Sequence, residues 1–185
     1  MKELSPEIKA KYGWLNPNDI VFTPEPIAKK VCSLFPISGR VLEPCKGEGA
    51  FLKYLPEGTE WCEITEDKDF MVWNEKVDWI VTNPPYSSFD KFLQHAFDVA
   101  DNVVFLVPLA KVFKSIGTLK RVDEYGGIVS MWIIAAGRCG FPFGFPAAAI
   151  YFKRDYKGFT KISYAESREK ETVNLDLARK EYQII

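Results

Sequence analysis

The stretch Asn83-Pro84-Pro85-Tyr86 combines residue types that suit ligand chemistry. It follows an apolar segment, Val77 to Thr82, whose β-branched and aromatic residues predict a buried strand. The prolines have fixed φ and no N–H donors, so the loop after the strand has few conformations to lose on binding a ligand. Ligands bind at the carboxyl edge of open α/β sheets. An amide, a proline carbonyl and an aromatic face there suit a flat ring that bears an amino group; a plain Pro-Pro turn is the simpler alternative.

A second candidate site is the loop Val41-Leu42-Glu43-Pro44-Cys45-Lys46-Gly47-Glu48-Gly49-Ala50-Phe51. A predicted strand leads into a turn whose glycines let the backbone approach a ligand closely. A helix predicted from Ala50 to Tyr54 would favour an anionic group at its N-terminus. The third glycine of a dinucleotide-binding G-x-G-x-x-G is replaced by Leu52, which disfavours a nicotinamide-dependent oxidoreductase.

Three shorter segments accompany these motifs. Glu63 ends a strand predicted from Glu60 to Ile64, where a carboxylate can accept both hydroxyls of a ribose. Asp69-Phe70 follows closely, and Phe22-Thr23-Pro24 precedes the first strand. Each also has a plain structural interpretation: a strand-end acid, a core ring and the start of a helix.

In this order the segments resemble the S-adenosylmethionine-dependent methyltransferases of the amino-group (N6-adenine) type, over roughly Val21 to Phe152. The resemblance implies S-adenosylmethionine as cofactor and no metal. The Phe22 segment would meet its methionine end, Glu63 its ribose, and Asp69-Phe70 its adenine. The cofactor-binding residues implied in this way are Phe22, Thr23, Pro24, Glu43, Pro44, Cys45, Gly47, Gly49, Phe51, Glu63, Asp69, Phe70 and Asn83.

The resemblance also implies a mechanism. The Asn83 side-chain oxygen and the Pro84 carbonyl would accept the two hydrogens of the target amino group, which frees the nitrogen lone pair, and Tyr86 would stack on the base. Such a site supplies positioning and charge complementarity more than acid–base power. A target inside a duplex must be flipped out of the stack.

The second half of the chain carries the predicted substrate contacts. The loop with Phe141, Phe143 and Phe145 resembles the family's late aromatic loop, and Arg138 at its start could meet a phosphate. Between Phe105 and Lys161, nine basic and three acidic residues give +6, which leaves −7 for the remainder of a chain of net charge −1. This split predicts a face for a polyanion that includes Lys111 and Lys114; ordinary solvated lysines are the alternative.

The predicted fold is a Rossmann-like class I methyltransferase domain: a mostly parallel sheet with helices on both faces and a C-terminal antiparallel strand pair, 128–135 with 147–153. We expect one domain in 185 residues, with N-terminal helices in 1–39 that start near Ser5 and Thr23, a catalytic core in 40–154 and a tail in 155–185. The tail could hold a helix from about 171 to 182. Only fourteen positions separate Asp69 from Asn83, so the family's usual helix and strand there must be shortened.

Several function classes are disfavoured. His95 is the only histidine and lies in a predicted amphipathic helix, 89–100, so Ser-His and Cys-His nucleophile schemes are disfavoured. The four cysteines form no C-x-x-C pair and are interpreted as reduced thiols. No signal peptide and no membrane-spanning apolar run are recognised, which predicts a cytoplasmic protein.

The leading interpretation is an N6-adenine methyltransferase acting on nucleic acid, DNA rather than RNA. Glutamine N5-methyltransferases of release factors also carry Asn-Pro-Pro-Tyr, but they usually have an N-terminal helical domain for which the roughly forty residues before Val41 leave no room. A methyltransferase-like subunit that only binds a partner is the non-enzymatic alternative, and the intact motifs argue against it.

Overall fold

Eight strands form one sheet in a computed structural model that describes residues 21–165 and the backbone of 181–183. The order across the sheet is β2-β1-β3-β4-β6-β5-β7-β8. The strands are β1 (Val41–Glu43), β2 (Glu60–Trp61), β3 (Val77–Thr82), β4 (Ala100–Pro108), β5 (Gly126–Ala135), β6 (Pro146–Arg154), β7 (Lys161–Tyr164) and β8 (Glu181–Gln183).

Helices cover both faces of this sheet, as predicted. They are α1 (Glu25–Leu34), α2 (Phe89–Val99), α3 (Leu109–Phe113) and α4 (Ile116–Tyr125). Helix α1 packs Ile27 and Val31 on one face, and α2 packs Leu93 on the other. Strand β4 is buried on both sides, since Val104 belongs to the same core cluster as the α1 residues and Phe105 to the same core cluster as Leu93 of α2. Among the described residues, no helix is both long enough and apolar enough to cross a membrane.

Strand direction brings four connections to one edge of the sheet. Strands β1, β3 and β4 are parallel. Strand β6 is antiparallel to both β4 and β5, as predicted for the closing pair, so β5 runs in the same direction as β4. The segments that follow β1, β3, β4 and β5 therefore all leave at the carboxyl edge. From β1 the chain continues to β2 on one side and then to β3 on the other, so a topological switch point lies between β1 and β3. Ligands bind in the crevice at such a point in open α/β sheets.

Two predicted helices differ from the structure. The segment Ala50 to Tyr54 forms only a turn, in which the N–H groups of Tyr54 and Leu55 donate to the Phe51 carbonyl at 2.9 and 3.0 Å. Pro56 prevents its extension, because proline has no N–H and disfavours helical geometry in the residue before it. The sequence from Lys111 to about Glu124 predicts one helix, weakened by Gly117, but the structure has two, α3 and α4, separated at Ser115, whose backbone is extended (φ −131°, ψ 126°).

The predicted strand 60–64 and the predicted tail also need correction. Strand β2 ends at Trp61, because Asp67 adopts a left-handed conformation (φ 57°) that turns the chain back and lets Lys68 bridge to Glu63. The sheet continues beyond residue 154, since β7 pairs with β5 and β8 with β7. Residues 181–183 are thus a strand rather than a helix end, while 171–180 and the predicted helix at Ser5 lie outside the described residues.

We expect Val81→Ala to lower the free energy of unfolding by about 1.5–3 kcal/mol, because the side chain is fully buried in β3 (0% exposed). The matched control is Val72→Ala, at a side chain that is 75% exposed, where the change should stay within about 0.5 kcal/mol. Urea unfolding measures both. Equal losses at the two positions would contradict this placement of β3.

Candidate active site

The loop after β1 is shaped by its two glycines. Gly47 and Gly49 have φ of 52° and 77°, in the left-handed region that favours glycine. The loop is tied to the chain after β2, because the Lys46 N–H donates to the Cys62 carbonyl at 3.0 Å. The predicted close-approach turn is therefore present, although the helix predicted behind it is not.

Glu63 has a structural task that the sequence did not indicate. Its Oε2 accepts the Gly47 N–H at 2.7 Å, and its Oε1 accepts the Thr65 N–H at 3.1 Å and the Thr65 hydroxyl at 2.8 Å. The carboxylate predicted to meet a ribose thus already joins the glycine loop to the segment after β2. Of its two oxygens, Oε2 retains the greater capacity to accept a further hydrogen bond.

The Asn83 amide is oriented by the segment ahead of α1. Its Nδ2 donates to the Val21 carbonyl at 3.0 Å and to Thr23 Oγ1 at 3.2 Å. Thr23 consequently does not cap α1, whose N-cap is Pro24 without a side-chain hydrogen bond. Asn83 Oδ1 is buried and has no hydrogen-bond partner among the described residues. With both acceptors on the Nδ2 side, the carbonyl oxygen of the amide remains for a donor from outside the chain.

These elements enclose a pocket of about 350 Å³. Phe22 forms part of its wall and lies over the glycine loop, where a Cβ on Gly47 would be 3.4 Å from the Phe22 ring. Pro44 is buried and Gly49 lies within the same loop, but neither residue lines the pocket. The predicted residues that line the pocket are Phe22, Thr23, Pro24, Glu43, Cys45, Gly47, Phe51 and Asn83, together with Val21, Glu25, Lys46, Glu48, Ala50 and Lys53, which the prediction did not include.

Glu43 is the most perturbed acid of this pocket. It is 1% exposed, and its Oε2 has no hydrogen-bond partner in the described part of the chain. Burial, reinforced by the negative charge of Glu63, raises the pKa of Glu43 from 4.5 to about 9, against an opposing contribution from the Leu52 N–H. Burial also raises the pKa of the Cys45 thiol, so this cysteine is a neutral pocket wall rather than a nucleophile.

Asp69 and Phe70 lie apart from the residues that line this pocket. Asp69 Oδ1 accepts the Met71 N–H at 2.8 Å, and its residue lines a separate groove of about 560 Å³ beside β2. The Phe70 ring is buried in the core, 5.4 Å from Phe92 and 4.6 Å from His95 between ring centroids. The prediction of an adenine-facing ring at Phe70 therefore differs from the structure, because the ring points into the core rather than to an open surface.

The aromatic loop meets the Asn-Pro-Pro-Tyr segment. Tyr86 contacts Phe143 edge to face, with ring centroids 5.9 Å apart, and Phe143 stacks on Phe145 at 4.3 Å. Phe145 is half-exposed. Phe141 is a buried core residue, so the prediction of a substrate contact at Phe141 differs from the structure. Pro85 precedes the short 3₁₀ turn that begins at Tyr86.

The same loop also reaches the pocket, since a Cβ on Gly140 would lie 3.4 Å from the Pro24 ring. The loops after β1, β3 and β5 and the segment before α1 thus converge at one place.

The predicted basic face is smaller than the charge count suggested. Lys111 lies in α3, Lys114 directly follows it, and Arg138 lies in a 3₁₀ turn after β5, so all three are at the carboxyl edge. Three further basic residues of the +6 segment form ion pairs with acids: Arg154 pairs with Asp101 at 2.7 Å, Arg121 with Asp90 at 3.3 Å and Lys157 with Asp123 at 3.3 Å. The excess charge is therefore spread over the molecule.

Neither a metal site nor a disulfide is present in the described part of the chain. Within residues 21–165, no group of three or more histidine, cysteine, aspartate or glutamate side chains could hold a metal ion. None of the four cysteines, all of which are described, forms a disulfide, in agreement with the prediction of free thiols.

The Val21 carbonyl, which orients Asn83, could not be predicted from the sequence, because a backbone acceptor has no signature there.

We expect Glu43→Gln to remove a pH dependence of stability. Between pH 4.5 and about 9 the folded state holds a proton on Glu43 that the unfolded chain releases. The free energy of unfolding should therefore fall with rising pH, by up to about 1.4 kcal/mol per unit, and glutamine cannot titrate. Urea unfolding from about pH 5.5 to 8.5 should show the variant gaining on the wild type. The exposed Glu48→Gln is the control; parallel pH profiles of Glu43→Gln and wild type would mean that Glu43 is ionised in the folded protein.

The likeness of this chain to known proteins lies in its fold. No protein-family model matches the sequence, and no curated protein matches it. Solved structures do match. The methyltransferase subunit of a type I restriction-modification system from Streptococcus thermophilus gives a TM-score of 0.60 at 16% identity, over 80% of this chain and 49% of that one.

Two smaller proteins match as well. A proposed RNA methyltransferase from Pyrococcus horikoshii gives a TM-score of 0.56 at 17% identity, over 80% of this chain and 96% of that one. A proposed class I S-adenosylmethionine-dependent methyltransferase from Listeria monocytogenes gives 0.58 at 12% identity, over 82% and 66%. The chain spans about half the length of the first of these three proteins, 49%. At such identities the likeness concerns the fold, and this fold is that of the class I S-adenosylmethionine-dependent methyltransferases.

Proposed function

We propose that this chain is an S-adenosylmethionine-dependent methyltransferase that acts on the exocyclic N6 amino group of adenine in DNA. The observation that carries the proposal is the orientation of Asn83. Its Nδ2 is held by Val21 and Thr23, and its Oδ1 is buried without a partner within the described residues. A buried acceptor left unpaired costs about 1–3 kcal/mol, so its retention is best explained by a ligand that donates to it.

The pocket fits the methionine end of the cofactor. Glu43 Oε2 is a second buried acceptor without a partner among the described residues, in the wall of the same pocket. A carboxylate there would accept the α-ammonium group, and a cation would in turn favour the ionised form of Glu43. When bound, S-adenosylmethionine supplies an electrophilic methyl group on a sulfonium centre. Glu63 Oε2 is the proposed acceptor for the ribose of the cofactor, and Asp69 Oδ2 is the proposed acceptor for its adenine.

The chain's own groups would then position the target amino group. Asn83 Oδ1 and the Pro84 carbonyl would accept its two hydrogens, which draws the nitrogen toward tetrahedral geometry and exposes the lone pair. Tyr86 would stack on the target ring, and Phe143, which contacts it edge to face, would keep it in place. Preorganised acceptors of this kind supply catalysis without proton transfer to a side chain.

A nucleic acid is the proposed substrate because cations and aromatic faces lie together at the carboxyl edge. Lys111, Lys114 and Arg138 would hold phosphates, and Phe145 offers an exposed face for an unpaired base. DNA is favoured by the neighbour from a restriction-modification system. RNA is the second candidate, because the neighbour named as an RNA methyltransferase is matched over 96% of its length. The four free thiols suit the reducing cytoplasm.

We expect Asn83→Ala to lower methyl transfer by about a hundred- to a thousand-fold, because it removes one preorganised acceptor. The measurement is transfer of a tritiated methyl group to duplex DNA, single-stranded DNA, RNA and a release-factor peptide, followed by nucleoside and amino-acid analysis. Gln94→Ala is the matched control, since Gln94 is an exposed amide side chain on α2 that lines neither the pocket nor the groove beside β2. Methylated glutamine with no methylated adenine would overturn the nucleic-acid assignment, and full turnover in a folded Asn83→Ala protein would overturn the role of Asn83.

We expect charge reversal of Lys111 and Lys114 together to weaken DNA binding for all sequences and to flatten its salt dependence by about two units of slope. Each lysine that contacts a phosphate releases roughly one counterion, and removing two contacts removes both. Reversal of Lys153 and Lys157, exposed near the start of β5 at the opposite edge, is the control. A similar loss of slope in both double variants would contradict a face at the carboxyl edge.

A further inference from the structure

The turn between α3 and α4 exposes two large apolar side chains. Phe113 is 45% exposed and Ile116 is 69% exposed, and only Lys114 and Ser115 separate them. Neither residue is part of the pocket or of the aromatic loop. Large apolar side chains exposed at the two ends of one short turn indicate a surface that is covered when a partner binds.

This turn is held on both sides. Val112, directly before it, is completely buried in the core. After it, the buried Thr118 hydroxyl donates to Asp90 Oδ1 on α2 at 2.9 Å, and Arg121 pairs with the same carboxylate at 3.3 Å. The two apolar side chains therefore project from a short turn that is anchored at each end, and little ordering remains to be done when they contact a partner.

The position and charge of the turn identify the partner. Thr82 pairs with Phe105, so β4 extends three residues past the end of β3 to Pro108, and α3 begins at that point, beside the Asn83 loop. Lys111 precedes Phe113 by two positions, and Lys114 lies between Phe113 and Ile116 in the sequence. An apolar turn that also carries two cations complements a duplex, whose phosphates are anionic and whose stacked interior is apolar.

We propose that Phe113 and Ile116 form a wedge that enters the base stack of duplex DNA and fills the space left by the extruded adenine. This inference rests on the proposed function. The wedge would lower the cost of extrusion, because the vacated space is filled by apolar side chains rather than by water. It has no part in the transfer step, which belongs to the Asn83 loop.

The test compares substrates that differ only in the cost of extrusion. The probes are a library of short duplexes with one adenine in random sequence context, the same library with an abasic site opposite that adenine, and the single strands. The variants are Phe113→Ala, Ile116→Ala and their combination. Phe159→Ala is the matched control, because Phe159 is 72% exposed but lies after β6, near the opposite edge of the sheet. Tritiated methyl transfer gives kcat/KM for each pair.

The double variant should lose about tenfold or more in kcat/KM on the paired duplex, and less than about threefold on the abasic duplex and on single strands. Phe159→Ala should leave all three substrates unchanged. An equal loss on all three would show a general binding platform, and no loss on any would show that the turn takes no part in methylating nucleic acid; either result overturns the wedge while the proposed function stands. A wild type that methylates none of the nucleic acids overturns both.

Discussion

The hydrogen bonds from Asn83 Nδ2 to Val21 and Thr23 are the interaction on which the site depends. They join the end of β3 to a segment about sixty positions earlier, with separations of 62 and 60 residues. This connection closes the pocket on one side and at the same time determines which way the Asn83 carbonyl oxygen faces. A side chain with only an acceptor, or only a donor, could not do both, which is the physical reason for an amide at this position.

The pocket also retains two acceptors that the described part of the chain does not satisfy, Asn83 Oδ1 and Glu43 Oε2. Unpaired buried acceptors lower stability. The same burial disfavours the ionised form of Glu43 and raises its pKa to about 9, so the side chain keeps its proton at neutral pH. Such groups are found where a bound ligand supplies the missing hydrogen bond or ion pair. Interactions within the chain hold the surroundings of these two acceptors in place: Glu63 joins two loops, and Phe143 packs against Tyr86.

Much of this architecture could be predicted from local patterns. The apolar run before Asn83 forms β3 with the expected bounds, and the closing strands pair antiparallel as expected. Order along the chain does not reveal where a side chain points: the Asp69-Phe70 pair predicts a ligand-facing ring, whereas the Phe70 ring packs on Phe92 and His95. Charge counting overestimates the size of the basic face for a related reason, since it cannot tell which basic residues are already paired with acids.

The most direct test of the pocket assignment is the proton balance of S-adenosylmethionine binding, measured by titration calorimetry in buffers of different ionisation enthalpy at about pH 6.5. An α-amino group, with a usual pKa of about 7.7–8.0, is then already protonated and contributes little. Glu43, with its pKa raised to about 9, must ionise to receive that ammonium group. The account predicts release of close to one proton for each cofactor bound, and its loss in Glu43→Gln. Binding without proton release, or no binding at all, would contradict it.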